Sequence, residues 1–170
     1  MIETKRLFLR ELAPSDDQAV AAMFADPDVM KFIGAGGVRT LEDAQRMIER
    51  ERKHYADRGW GQWAAVERAT GRMVGVCGLI LWPNIGGKEE LEVAYLFAKP
   101  YWGKGYATEV GTVLVREAQQ IRPDPVSLIY PDNEASIAVA KKIGMVYEKD
   151  VPFEGSTIGL YRYKAPKKKR

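Results

Sequence analysis

Cysteine and histidine are nearly missing from this chain of 170 residues: Cys77 and His54 each stand alone. A lone cysteine makes no internal disulfide and no zinc cluster, and a lone histidine leaves a His-rich metal site without partners. Long apolar runs are missing too. No stretch approaches the roughly 20 residues of a membrane helix, and the opening Met1-Ile2-Glu3-Thr4-Lys5-Arg6 is too charged to hold an apolar signal core. The expectation is a cytoplasmic protein without a metal or a membrane partner. Glycine (16) and proline (9) are too sparse for a collagen-like or low-complexity chain. What is present is 46% hydrophobic and 29% charged, ordinary for one folded core.

Basic charge has little hold on the body of the chain. Lys+Arg 26 against Asp+Glu 23 gives +3, but Lys164, Lys167, Lys168, Lys169 and Arg170 crowd the last seven residues. Setting those five aside leaves 21 against 23, a net of −2. We therefore read 1–164 as a single domain and 165–170 as a basic tail. Such a tail either attracts RNA or DNA phosphates by counterion release or is a solvated terminus; nucleic acid is otherwise not expected as a partner.

Mixed β and α periodicity runs along the body. Leu7–Leu12 reads as a first strand. Ser15 with Gln18 forms a capping box ahead of a stripe of Val20, Met23 and Phe24. Thr40 caps a longer helix carrying Ala44, Met47, Ile48 and Tyr55, which Gly59 ends. Strands follow at Gln62–Val66 and Met73–Leu81, and Pro83-Asn84 with Gly86-Gly87 marks the next connection. A fourth strand, Leu91–Ala98, places Val93, Tyr95 and Phe97 on one face and Glu92, Ala94 and Leu96 on the other. After a helix containing Val110, Val113 and Leu114 come a fifth strand (Val126–Tyr130), a short helix (Asn133–Ile143) and two last strands near 146–151 and 158–163. This order predicts an α+β chain, with a mixed sheet covered by helices.

The segment 91–108 says most about function. A strand ends, the chain turns on Gly103 and Gly105, and a helix begins. Free N–H groups and the positive end of a helix dipole bind anions there, and Lys104 adds charge. The fragment reads either as a pyrophosphate site or as a tight turn that needs glycine sterically. The Walker spacing is absent, and the dinucleotide fingerprint fails at its third glycine, where Thr108 stands.

Tyr101-Trp102-Gly103-Lys104-Gly105-Tyr106-Ala107-Thr108-Glu109 resembles motif A of the GNAT N-acetyltransferases, with Trp102 where Gln or Arg is usual. The string also resembles the Rim-type branch, which acetylates ribosomal-protein N-termini among other amines. Asn133-Glu134-Ala135-Ser136, followed by Gly144-Met145, resembles that branch's Asn-x-x-Ser helix and closing Gly-Phe, and Thr4–Arg10 resembles its first strand. The resemblance implies a mostly antiparallel sheet, splayed between its fourth and fifth strands and flanked by about four helices. It implies acetyl-coenzyme A as donor and a primary amine as acceptor, a protein N-terminus or a small molecule, and leaves room for a homodimer. Leu96, Phe97 and Ala98 would offer backbone groups to the pantetheine arm and Asn133 its side chain, while the amides of Gly103, Lys104, Gly105, Tyr106, Ala107 and Thr108 would take the pyrophosphate.

Acetyl transfer needs a neutral amine, a donor for the oxyanion and a proton for the departing thiolate. Glu92 interrupts an apolar strand beside the proposed site and is similarly placed to a Glu of the Rim-type branch, so it is our choice of base, with Glu90 as the neighbouring alternative. The family's common acid, a Tyr seven residues after the Asn, is Ala140 here; the resemblance points instead to Ser136, with Tyr130 as a fallback. Cys77 reads as a buried apolar residue, His54 as part of a solvated helix face, and Trp60, Trp63, Trp82 and Trp102 as packing residues. The Gly34–Gly37 and Phe153–Gly155 loops are candidate substrate rims. The rival readings are a non-catalytic acyl-coenzyme A-binding module and a module docking on ribosome or RNA through the tail.

Overall fold

A computed structural model describes residues 1–165; the basic tail, apart from its first residue, lies outside them. In chain order the elements are β1 (Ile2–Glu3), β2 (Leu7–Arg10), α1 (Asp17–Phe24), α2 (Pro27–Met30), α3 (Leu41–Arg58), β3 (Gln62–Glu67), β4 (Met73–Ile85), β5 (Lys88–Phe97), α4 (Tyr106–Gln119), β6 (Val126–Ile129), α5 (Glu134–Lys142), β7 (Met145–Phe153) and β8 (Ser156–Tyr163). The strands join one sheet of order β1-β2-β3-β4-β5-β6-β8-β7. Every neighbouring pair is antiparallel except β5 and β6, which run parallel and meet at one register, Glu92 against Val126. This is the expected mixed sheet, with its break where the fourth and fifth strands of the sequence pattern meet. No helix among the described residues is long and apolar enough to cross a membrane.

Alternation along β5 decides what each face buries. Leu91, Val93 and Phe97 pack with Val110 and Leu114 of α4 and Ala140 of α5. On the opposite face Val76 and Ala64 meet Val20, Met23, Phe24, Ala44 and Ile48 of α1 and α3. Thr40 and Gly59 bound α3 as its sequence predicts: Thr40 N–H donates to Asp43 Oδ2 (2.8 Å) and Asp43 N–H returns to Thr40 Oγ1 (3.2 Å).

Two local expectations are corrected and one element is added. The Ser15–Gln18 box does not form; the Asp16 carboxylate accepts the Ala13 N–H (2.8 Å) and both Arg10 terminal nitrogens (2.7 and 2.8 Å), and charge-assisted bonds outcompete a hydroxyl cap. Strand β4 does not stop at Leu81 but runs on to Ile85, a bulge between Trp82 and Ile85 absorbing Pro83. The β4–β5 hairpin then turns on Gly86 (φ 58°) and Gly87 (φ 95°), the twin positive dihedrals of a tight primed turn. The short helix α2 goes unread in the sequence, although Asp26 before Pro27 is a cap followed by a first-turn proline, and the Asp26 carboxylate accepts the Asp28 N–H (2.9 Å).

An ion cluster centred on buried Arg162 and Glu90 ties the far strands to β5. The Arg162 guanidinium of β8 donates to Glu90 (2.7 and 3.1 Å), Glu148 (2.6 Å) and Asp124 (3.1 Å), and Glu90 is fully buried. Burial pushes the Glu90 carboxyl up, but the Arg162 and Lys88 hydrogen bonds outweigh it and hold it below the ordinary carboxylate range. Glu90 therefore stays charged and paired, which removes it as the alternative base. Truncating Arg162 to Ala strands that charge and should cost about 3–5 kcal/mol in urea unfolding. A depressed carboxyl stabilises above its unfolded pKa and stops doing so as pH falls through its folded one. Acidification should thus narrow the gap between wild type and Arg162→Ala, and a gap near zero at neutral pH would contradict the assignment.

Candidate active site

The β5–β6 ladder ends because two side chains take it over. Glu92 Oε1 accepts the Leu128 N–H (3.3 Å), and Ser127 Oγ donates to the Val93 carbonyl (2.9 Å). Past that point β5 has a free edge. Ala98 gives its N–H to Val74 and takes that of Tyr101 on its carbonyl (2.9 Å each). By antiparallel alternation Leu96 also turns its backbone to β4, and Tyr95 and Phe97 turn theirs to the gap. Of Leu96, Phe97 and Ala98, only Phe97 thus faces the opening, and its carbonyl already accepts the Trp102 indole N–H (2.7 Å). Tyr95 escaped the sequence reading, because its facing the gap is set by the β4–β5 pairing.

Across the gap, α4 opens on Gly103 (φ 72°) and Gly105 (φ 80°), left-handed positions where a side chain would be strained. The first helical bond runs from the Glu109 N–H to the Gly105 carbonyl (3.0 Å), and among the described residues no N–H from 103 to 108 meets a protein acceptor. The N-terminal strand braces this loop. Arg6 Nη1 donates to the Lys104 carbonyl (2.8 Å), its guanidinium lies 4.6 Å from the Tyr106 ring centre, and its backbone N–H and Nε both donate to Glu109 (2.7 Å each). Thr4 Oγ1 adds a bond to Glu109 (2.6 Å), and the Tyr106 hydroxyl donates to Glu67 (2.5 Å). Arg6, Glu67 and Glu109 were not legible as functional residues, because their partners lie far off in sequence. The Lys104 ammonium is exposed, 4.9 Å from the Tyr101 ring centre.

The gap lets both faces of β5 line one cavity of about 600 Å³, to which Glu92, Tyr95, Asn133 and Ser136 all contribute. Glu92 is buried and its Oε2 accepts the Trp82 indole N–H (2.6 Å). Burial raises its pKa to about 7, against the pull of the Trp82 and Leu128 hydrogen bonds. Asn133 caps α5 by accepting the Ser136 N–H (3.1 Å), which leaves its amide NH₂ to donate. The Tyr95 hydroxyl donates to the Ser136 carbonyl (3.4 Å), and burial pushes its pKa up to about 12, so it keeps its proton. The Ser136 hydroxyl has no partner among the described residues.

Both rim loops also line the cavity. Tyr130 is spent between them, its hydroxyl donating to the Gly34 carbonyl (2.6 Å). Cys77 is buried, and burial drives its thiol far up, in keeping with a packing role. Trp102, by contrast, is half-exposed. The solvated reading of His54 is corrected: it lies half-buried in the cavity wall with Nδ1 3.2 Å from Glu51 Oε2. Glu51, itself buried, accepts the Gln62 N–H (2.9 Å) and falls on the Met47–Tyr55 stripe, a helical signal that could have found it. Titration of the Glu92 carboxyl carbon by NMR should give a midpoint near 7, and Trp82→Phe, which removes a donor to the charged form, should raise it; a midpoint near the usual carboxylate value of about 4.3 would contradict this environment.

A model of the acetyltransferase (GNAT) domain matches residues 6–146. Of similar proteins, the uncharacterized YkkB of Bacillus subtilis (strain 168) is 30% identical over 165 residues, 95% of this chain and 94% of that one. An acetyltransferase from Agrobacterium tumefaciens str. C58 superposes with a TM-score of 0.81 at 28% identity, covering 96% of this chain and 94% of the other. The ribosomal L7/L12 α-N-protein acetyltransferase RimL, in complex with coenzyme A, shares the fold at a TM-score of 0.71 and 16% identity, covering 94% of each chain. With its sheet parted beside an open helix start and most of its length matching that domain, this chain belongs to the GNAT acetyltransferase family.

Proposed function

We propose that the protein is an acetyl-coenzyme A-dependent N-acetyltransferase that moves the acetyl group to a primary amine by direct attack in a ternary complex. The run of unbonded N–H groups from 103 to 108, held at the start of α4 beside a parted sheet, carries this reading. Those groups and Lys104 suit a diphosphate, and the free edge at Tyr95 and Phe97 suits an amide-bearing arm, with the Asn133 amide on its other side. The thioester supplies the activated acetyl carbon. Glu92 takes the proton that the attacking amine must lose, and the Ser136 hydroxyl, supported by Tyr95, hydrogen-bonds the departing sulfur. The acceptor is a protein N-terminus, as in the Rim-type branch, or a small-molecule amine.

Purified protein given acetyl-coenzyme A and a panel of α-amine peptides, polyamines and aminoglycosides should release free thiol. A base with pKa about 7 works only when deprotonated, so kcat/KM should climb through that pH. Glu92→Gln should lower kcat/KM by roughly 10²-fold or more and flatten that limb, and Ser136→Ala should lower kcat by about tenfold. Unchanged rates in both variants would overturn the roles. Coenzyme A binding without turnover of any amine would favour the non-catalytic acyl-coenzyme A module instead.

A further inference from the structure

The α3 side of the cavity carries a guanidinium that forms no ion pair among the described residues. Arg39, ahead of α3, lines the cavity and is half-buried. Its backbone N–H is tied to the Phe24 carbonyl (2.9 Å) and its guanidinium lies 5.4 Å from the Phe24 ring centre. Among the described residues its side chain makes no hydrogen bond and no ion pair. A half-desolvated guanidinium, with a planar fork of donors, is costly to leave so and is built to grip a two-oxygen anion.

The surrounding charges do not supply that anion. A side chain on Gly34 would stand 2.7 Å from Arg39 Nη2 and 2.9 Å from Glu154 Oε2, so both groups flank the space above Gly34, yet they do not pair. Glu154 is exposed on the β7–β8 turn, where solvent and salt screen it. Glu51 is spent on Arg50 (3.0 Å), His54 and the Gln62 N–H. Arg58 adds a second cation to the same wall, stacked 3.8 Å from the Trp60 ring centre with Nε on the Trp60 carbonyl (3.2 Å). The α3 side of the cavity is therefore basic, whereas Glu92 sits on its β5 side.

We infer that the acceptor is an amine that also carries an anionic group, a carboxylate or a phosphate, which Arg39 grips while the amine faces Glu92. This rests on the acetyl-transfer reading above and narrows its substrate class.

The test uses matched acceptors: α-amino acids against their amides, aminoalkyl phosphates against the parent amino alcohols, and spermidine as a cationic comparison, with kcat/KM read from thiol release. In the wild type the anionic member of the preferred pair should exceed its neutral counterpart by about tenfold or more. Whichever pair shows the preference identifies the anion as carboxylate or phosphate. Arg39→Gln should collapse that ratio toward one, chiefly through KM, and Arg39→Lys should keep part of it; an unchanged melting curve checks that the variants fold. Turnover confined to neutral or cationic amines, or a ratio untouched in Arg39→Gln, would overturn the inference and leave acetyl transfer standing. Failure to acetylate any amine would remove the transfer reading itself, and this inference with it.

Discussion

The parting of β5 from β6 is the constraint on which the rest of the site depends. Two parallel strands meet at Glu92 and Val126 and would ordinarily continue their ladder. Here a carboxylate and a hydroxyl, from Glu92 and Ser127, take up the next backbone partners and end it. The freed edge of β5 faces the start of α4. A cavity then passes from one face of the sheet to the other, the route by which, in the proposed reaction, a donor held on the α4 and α5 side meets an acceptor entering from the α1 and α3 side. In the proposed reaction Glu92, whose carboxylate ends the ladder, is also the group that takes the proton where the strands part.

Separation has to be held open. On one side, Arg6 and Thr4 grip Glu109 and the Lys104 carbonyl, which fixes the first turn of α4 in the orientation that exposes its N–H groups. On the other, Arg162 collects Glu90, Glu148 and Asp124 and anchors the β7–β8 hairpin to β5. The two braces do different work. The first is half-exposed and sets the direction of a loop; the second is buried and fixes where the last hairpin, and with it the Glu154 rim, stands.

Much of this was legible in the sequence. Periodicity placed the main strands and helices, Thr40 and Gly59 bounded α3, and the pair Gly103 and Gly105 located the open helix start by physics that needs no family. What escaped was set by partners outside each residue's own helix or strand. Asp16 prefers Arg10 to the local cap pattern, Glu51 and His54 turn inward because α3 presses them toward β3, and Arg6 reaches the glycine loop only once β2 is in the sheet. Tyr95 and Phe97, rather than Leu96 and Ala98, face the gap because one strand pairing fixes the parity of every backbone group in β5. Register is a property of two strands, and a single strand's residues do not disclose it.

Amide chemical shifts on titration with coenzyme A test the central claim most directly. The largest perturbations should fall on the N–H groups of 103–108, with a second set at Tyr95 and Phe97 along the free edge. A spectrum that does not change, or whose changes concentrate elsewhere and spare the start of α4, would contradict it.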